Sequence, residues 1–500
     1  MEFLNGESRT QTILFPDTID DYVEENSNVR VIEAFINSLN LEELKFKRYR
    51  PEKTGRPSYN PKDLLKLYVY GYMNRILSSR RLETESKRNL EAIWLMSKLS
   101  PDHKTIANFR KDNPEALKNV FRDFVKLCAR LGLYGKELES IDGSKFKAVN
   151  SKDRNFTKGK LEDRIKRIEE NISEYMKELD ELDEEEDKVE KEKSAEEIQQ
   201  IIKELSERRD EYKEYEKELE ESGETQKSLT DSESRLMLTN GKMDVCYNVQ
   251  TAVDAKNKLI TEFEVTNNAN DMNQLTPMME KVKEILEVET IAAVADAGYA
   301  SASDIAAAVQ VGIEVHVAGT DYDICIPAKE GEEETEITEH NKGRSVYVKE
   351  RNIAICPMGK TLYPKHYNKE KGEAVFYNSE ACRKCTCRCT KEKRGFRYRF
   401  VMPEEEFSKE CNDKDLAVKQ VRIKPEKEKY KQRKSLSEHP FGTVKRTMGA
   451  GYCLMKGKRK VTGEFSLIFL AYNLKRVINI LGSRKLIEYI TLQAKPAWCT

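Results

Sequence analysis

No stretch of this 500-residue chain approaches the roughly 18 consecutive apolar residues that a membrane-spanning helix needs. The longest apolar run, around 465–474, is shorter and leads straight into Lys475 and Arg476, so no membrane association is expected. The opening MEFLNGESRT has no basic stretch followed by an apolar one, so no secretory leader is expected either. Histidine is scarce, and the five present form no ligand pattern. The eleven cysteines are odd in number and unevenly clustered, which argues against a secreted disulfide framework and for thiols or metal ligands in a reducing cytosol. At roughly 150 residues per domain the chain is long enough for about three, with a core that needs no disulfide staples.

Net charge is also nearly absent, at −1, but its distribution is uneven. Residues 161–220 hold 25 Asp and Glu against 12 Lys and Arg, a net of −13 that leaves +12 on the remaining 440 residues. A basic protein with one acidic appendage is compatible with a nucleic-acid partner. Much of the positive charge crowds around "SLSEHPFGTVKR", Ser435 to Arg446, which places a Glu–His pair inside a basic cluster.

The first 125 residues read as helices. "NPKDLLKLYVYGYMNRI" has Pro61 near a helix start and Leu64, Leu65, Tyr68, Val69 and Tyr72 at helical spacing. "LSPDHKTIANFRKDNP" offers Asp102 as an N-cap for a helix ending before Pro114. Short helices with basic faces fit a helix-turn-helix-like module, and equally an ordinary helical domain with a solvated face. "ELESIDGSKFKAV" then reads as a strand carrying Asp142, with a turn at Gly143. Leu161, Ile165, Ile168, Ile172, Tyr175, Leu179 and Leu182 alternate spacings of four and three, a coiled-coil seam that Val189 extends. "SAEE" from Ser194 is a capping box for a second helix with Ile198, Ile201, Leu205, Tyr212, Tyr215 and Leu219 on its seam. Two antiparallel helices over 159–222 are expected, a dimeric coiled coil being the alternative.

Beyond the hairpin, "DVCYNVQTAVD" and "LITEFEVT" alternate as strands around an "AKNK" turn. A helix is expected from about Asp271 to Glu287, then a buried strand "TIAAVADAGYAS" ending at Asp296, a helix "SASDIAAAVQVG" and a strand "IEVHVAG". Without the hairpin, the order is three strands, helix, strand, helix, strand, which is that of an RNase H-like core. An irregular cysteine-bearing segment follows, then a helical region with Glu438 and a closing amphipathic helix, "GEFSLIFLAYNLKRVINILG".

Three acids now have addresses: Asp142 on the first strand, Asp296 at the end of the fourth, and Glu438 on or beside a late helix. In an RNase H-like sheet the first and fourth strands are neighbours and the late helix packs against them, so the three can converge. Clustered carboxylates raise one another's pKa unless cations neutralise them, and hard divalent cations prefer oxygen ligands. Two Mg²⁺ (or Mn²⁺) ions about 4 Å apart can activate a water or hydroxyl and stabilise the leaving oxygen in phosphodiester chemistry.

"YNPKDLLKLYVYGYMNRILSSRRLETESKRN" and "DHKTIANFRKDN" in the N-terminal part, "IDGSKFKA", "DSESRLM", "YNVQTAVD", "VADAGY" and "SEHPFGTVKR" in the core, and "LAYNLKR" near the end carry a resemblance. Together they resemble the DDE transposases of bacterial insertion sequences, within the IS-four-like assembly and nearest the group numbered eleven-eighty-two. The resemblance implies an α/β, RNase H-like catalytic core interrupted by the hairpin and the cysteine-bearing insertion, behind an all-helical DNA-binding domain. It implies Asp142, Asp296 and Glu438 as metal ligands and a Tyr-Arg-Glu-Lys signature made by Tyr430, Arg433, Glu438 and Lys445. The Arg433–Glu438 gap is one residue longer than the signature's usual one, which brings Lys434 into consideration; Lys445 and its neighbour Arg446 would meet DNA phosphate. The implied partners are terminal inverted repeats and target DNA, engaged by a homodimer or larger assembly in the cytoplasm, at the nucleoid. A hydrolytic RNase H-like nuclease and a domesticated DNA-binding derivative are the rival readings.

The expected division is 1–125 helical, 126–158 and 223–320 core, 159–222 hairpin, 321–415 cysteine-bearing insertion, and 416–500 the rest of the catalytic core. Within the insertion, Cys382 and Cys385, with two of Cys356, Cys387, Cys389 and Cys411, have spacings that suit one structural zinc ion.

Overall fold

Capping residues set where the first helices begin. The computed structural model describes residues 18–51, 57–184, 195–224, 226–239, 241–329, 343–369, 371–385, 389, 395–412 and 416–493. Helices α1 (Asn28–Ser38), α2 (Pro61–Met73), α3 (Ser79–Arg88), α4 (Leu90–Leu95), α5 (His103–Asp112) and α6 (Pro114–Arg130) precede the sheet. Asn60 Oδ1 accepts the Lys62 N–H at 2.9 Å, and Asp102 Oδ1 those of Lys104 and Thr105 at 2.9 and 3.0 Å. Pro61 and Pro114 open their helices where no intrahelical N–H is needed. Helix α6 runs across the boundary expected at 125.

The chain then enters β1 (Leu138–Lys147), the short β2 (Asn155–Thr157), the long helices α7 (Lys158–Glu184) and α8 (Ala195–Ser222), and β3 (Gln226–Ser228). Strands β2 and β3 pair antiparallel at the base of the arm. The helices lie antiparallel against each other: Lys158 meets Glu220 and Arg164 meets Tyr212. Leu161, Ile165, Ile168, Ile172, Tyr212 and Leu219 are buried there, with Ile202 rather than Ile201 packed on the seam. The seam therefore closes within one chain. Val189 and the Ser194 cap lie outside the described residues.

The main sheet is completed by β4 (Arg235–Thr239), β5 (Lys242–Asp254), β6 (Ile260–Thr266), β7 (Ile291–Ala295) and β8 (Ile313–Val317), with α9 (Leu275–Leu286) and α10 (Ala302–Gln310) as crossovers. Its order is β4-β5-β1-β7-β8, with β6 beside the C-terminal half of β5. Strand β5 runs antiparallel to both of its neighbours β1 and β6, whereas β7 runs parallel to β1 and β8 parallel to β7. All of β7, Ile-Ala-Ala-Val-Ala, is buried, as suits a parallel strand covered on both faces. The turn expected at Gly143 is not made. Gly143 sits within β1, paired with Gln250 of β5.

The cysteine-bearing segment is more regular than its sequence suggests. It comprises β9 (Tyr322–Pro327), which pairs antiparallel with a later strand, and a sheet of β10 (Val346–Val348), β11 (Ile353–Ile355), β12 (Thr361–Asn368), β13 (Glu373–Tyr377) and β14 (Arg397–Val401), with helix α11 (Ser379–Lys384) before β14. That sheet has its own apolar cluster, including Leu362, Ala374 and Phe376. The partner of β9 is β15 (Val418–Ile423). Helices α12 (Lys427–Gly442), α13 (Lys458–Leu481) and α14 (Ser483–Gln493) close the fold, with a π-helical turn at Thr443–Thr447 after α12.

Helix α13 is not the amphipathic helix expected. Phe465 to Leu474 is buried without interruption, because α13 packs against α2, α5 and α6 on one side and β6 on the other. Gly463 permits the approach to α6: a Cβ there would lie 2.7 Å from the Cα of Pro114. One apolar core therefore runs from Val23 through the sheet to Ile490. Among the described residues no single helix is long and apolar enough to cross a membrane.

Candidate active site

Strand pairing brings the first two acids together. Asp142 lies on β1, and Asp296 directly follows β7, whose residues Ala292 to Val294 pair with Leu138 to Ser140 of β1. Asp296 caps the short turn Ala297–Tyr299, its Oδ1 accepting the Gly298 N–H at 2.8 Å. Burial and then the Asp296 carboxylate push Asp142 up to about 6, while Arg433 and the Gly143 N–H pull it down and Asp271 adds a smaller upward push. The two acids thus share one electrostatic neighbourhood, with Arg433 beside it.

Helix α12 lies across β1, β5, β7 and β8. Ser437 Oγ stands 3.5 Å from Ser140 Oγ, two residues before Asp142. Glu438 is the next residue on α12 and is exposed. Among the described residues the ligand oxygens of Asp142, Asp296 and Glu438 do not all lie within 4.8 Å of one another. Sheet topology therefore unites the two aspartates, and α12 brings Glu438 over the same strands without closing a three-acid cluster.

The basic residues divide by burial. The Lys445 Nζ donates to Ser144 Oγ at 2.6 Å and to the Lys145 carbonyl at 3.0 Å, and lies 4.4 Å from the Phe146 ring centre. Burial lowers its pKa, with Cys246 and Asp142 opposing. Lys445 thus ties the π-helical turn to β1 beside Asp142. Arg433 is half-buried, with its guanidinium 6.0 Å from the half-buried Tyr430 ring. Lys434 and Arg446 are exposed, and the Arg446 carbonyl accepts from Arg75 at 2.6 Å, which links this turn to the end of α2. His439 meets α13: its Nδ1 is 3.0 Å from Tyr472 Oη, whose hydroxyl donates to the Lys258 carbonyl. Nδ1 must therefore carry the proton in that contact, and burial, Arg476 and Lys258 lower the His439 pKa.

Sequence reasoning missed Asp271. It was expected to begin a helix, but α9 starts only at Leu275, so Asp271 sits in the loop after β6. There it accepts from Asn248 Nδ2 at 2.7 Å and Gln250 Nε2 at 2.6 Å. Tyr299 is buried against the same group, its hydroxyl bonding Gln250 Oε1, and burial followed by Asp271, Asp142 and Asp296 raises its pKa. The available signal was an acid between a strand and a helix, inside "NNANDMNQL".

Two other groups bear on metal binding. Glu314, His316 and Glu426 have ligand atoms within 4.8 Å of one another. This cluster already holds an ammonium: Lys429 Nζ is 2.8 Å from Glu314 and 3.2 Å from Glu426, and the Glu426 N–H donates to His316 Nδ1. In the cysteine-bearing sheet, Cys356 is buried and its Sγ accepts the Lys360 N–H at 3.2 Å. Burial pushes its thiol up to about 11, with two backbone N–H groups opposing and Cys389 and Cys382 adding smaller upward pushes. Cys385 packs against the local apolar cluster, Cys411 is exposed, and Cys387 lies outside the described residues.

Residues 17–112 match a family model described as a transposase domain of unknown function, and residues 355–478 match one described as a transposase DDE domain. The second match covers most of the cysteine-bearing sheet, α12 with Glu438 and most of α13; Asp142 and Asp296 lie outside both. No curated protein matches the chain. Among solved structures, a cryo-EM structure of a piggyBac transposase synaptic complex with hairpin DNA aligns with 94% of this chain and 80% of its own, at 9% identity and a TM-score of 0.30, too distant to bear on the site.

Proposed function

We propose that this chain is a DDE transposase of the insertion-sequence type, nearest the eleven-eighty-two group, that binds the terminal inverted repeats of its element, cuts at their ends and joins the freed 3′-OH to target DNA. The observation that carries the proposal is Asp142 on β1 and Asp296 just past the adjacent parallel strand β7, with the helix that bears Arg433 and Glu438, α12, lying over the same strands. The order β6-β5-β1-β7-β8, three antiparallel strands followed by two parallel ones, is that of an RNase H-like core. The transposase-domain matches at both ends of the chain support the same reading.

The donor set suits a hard divalent cation such as Mg²⁺ or Mn²⁺, because the acids offer only oxygen. Asp142, held up at about 6 by burial and a neighbouring carboxylate, is the kind of group that a bound cation would return to its ionised form. When bound by Asp142, Asp296 and Glu438, two such ions would supply charge stabilisation and an activated oxygen nucleophile. The chain's own residues do the positioning. Lys445 anchors the turn after α12 to β1, Arg433 sets charge beside Asp142, and Lys434 and Arg446 offer exposed cations to DNA phosphates. Pairing two element ends calls for at least two copies on DNA.

The test uses purified full chain, Mg²⁺ and linear DNA carrying the inverted repeats that flank its gene. Cleavage at the repeat ends and joining to a second duplex are expected. Glu438→Gln should bind the ends but lose cutting by several orders of magnitude. Cutting that ignores the repeats and yields no joined product would identify a hydrolytic nuclease instead.

A further inference from the structure

The proposed site contains one more acid than its motif requires. Asn248 and Gln250 stand two residues apart on β5, opposite Lys145 and Gly143 of β1, so they share one face of the sheet. Both are fully buried, and both side-chain amides donate to the same oxygen, Asp271 Oδ1. The contact of Tyr299 Oη with Gln250 Oε1 leaves Nε2 as the atom that faces Asp271. Gly143 makes the space: a Cβ there would lie 2.5 Å from Asp271 Oδ1 and 2.3 Å from Gln250 Nε2. Asn248 Oδ1 is buried without a partner and lies 3.1 Å from that same point.

The second oxygen of Asp271 has a different outlook. Oδ2 meets Lys145 Nζ at 3.5 Å, at the limit of a hydrogen bond. It also faces Gly298, where a Cβ would lie 3.6 Å from Oδ2 and 2.9 Å from Asp296 Oδ1. The two carboxylates therefore flank one bare Cα. An oxygen held by two buried amides fixes the carboxylate's rotamer, so the other oxygen can serve as a ligand with little further ordering cost.

We infer that Asp271 is a further carboxylate of the same site, presenting Oδ2 to the divalent cation that the proposed function assigns to Asp142 and Asp296. The inference rests on that proposed function. Asn248, Gln250 and Gly143 are then positioning residues, and Lys145 balances the charge while no cation is bound.

The test is a Mn²⁺ titration of the DNA-free full chain, with free Mn²⁺ read by electron paramagnetic resonance, beside melting curves in EDTA. Asp271→Asn and Asp271→Ala should each weaken Mn²⁺ binding at least tenfold, the asparagine variant with an EDTA melting temperature near that of the wild type and the alanine variant with a lower one but still a cooperative transition. Asparagine can offer its one oxygen to both amides and so lacks only the ligand oxygen, whereas alanine removes the acceptor as well, which separates the two effects. If Asp142→Asn and Asp296→Asn lose Mn²⁺ but both Asp271 variants bind it like the wild type, Asp271 is scaffold only and the inference fails while the function stands. A wild-type chain that binds no Mn²⁺ overturns both.

Discussion

At the scale of the residue, Asp142 makes the sharpest prediction. Its carboxyl is raised from an ordinary 3.8 to about 6, chiefly by burial and the Asp296 charge. A carboxyl with a raised folded-state pKa holds its proton more tightly in the native state. Its contribution to stability is therefore present below the ordinary value and lost as pH climbs through about 6. In EDTA, Asp142→Asn should stabilise the protein at pH 7 by about 1–3 kcal/mol and make little difference at pH 4. Melting curves from pH 4 to 7.5 check this, and a variant that melts below the wild type at pH 7 would contradict it. Lys445 is expected to behave differently. Its ammonium is committed to Ser144 and Lys145, so Lys445→Ala should lower stability by about 1–3 kcal/mol as well as weaken end binding. A loss of DNA affinity with an unchanged melting temperature would show that the anchor matters little.

At the scale of the element, the arm and the cysteine-bearing sheet can be tested separately. Helices α7 and α8 bury their seam against each other, and the tilted rings of Phe156 of β2 and Tyr212 have centres 5.3 Å apart. Apolar contacts of the arm are thus made within the arm. Replacing residues 159–222 with a short Gly-Ser linker should leave the sheet folded, and a loss of cooperative melting would show that the core depends on the arm. The cysteine-bearing sheet is expected to carry about one zinc ion per chain when purified without chelators, and elemental analysis of a fully folded, zinc-free protein would remove that expectation. Helix α13 offers a third test: Gly463→Val places new carbons against Pro114 and should cost about 1–3 kcal/mol, read as a lower denaturation midpoint.

At the scale of the whole molecule, charge separates the arm from the rest. Removing its −13 leaves a chain of about +12, so the armless protein should bind nonspecific DNA more tightly at low salt, with a difference that fades as salt rises. Equal affinities across salt concentrations would show that the arm's charge is not felt at the DNA surface.

Local chemistry made much of the fold legible. The spacing of Leu161 to Ile172, Pro61 near a helix start, the cap at Asp102, the alternation of β5 and the apolar run of β7 each announce their element within a few residues, because periodicity and capping are short-range. Asp142, Asp296 and Glu438 could be named from the order of their elements and a family resemblance. Other features depended on what lay across the fold. Gly143 looks like a turn residue until Asp271 is seen in the space left by its missing Cβ. Helix α13 looks half-solvated until α6 and β6 cover both sides. Asp271 looks like a helix start until the amides of Asn248 and Gln250, about twenty residues away, hold it in a loop beside Asp296. A carboxylate's role is set by the charges and donors around it in space, and only the packed sheet brings those donors together.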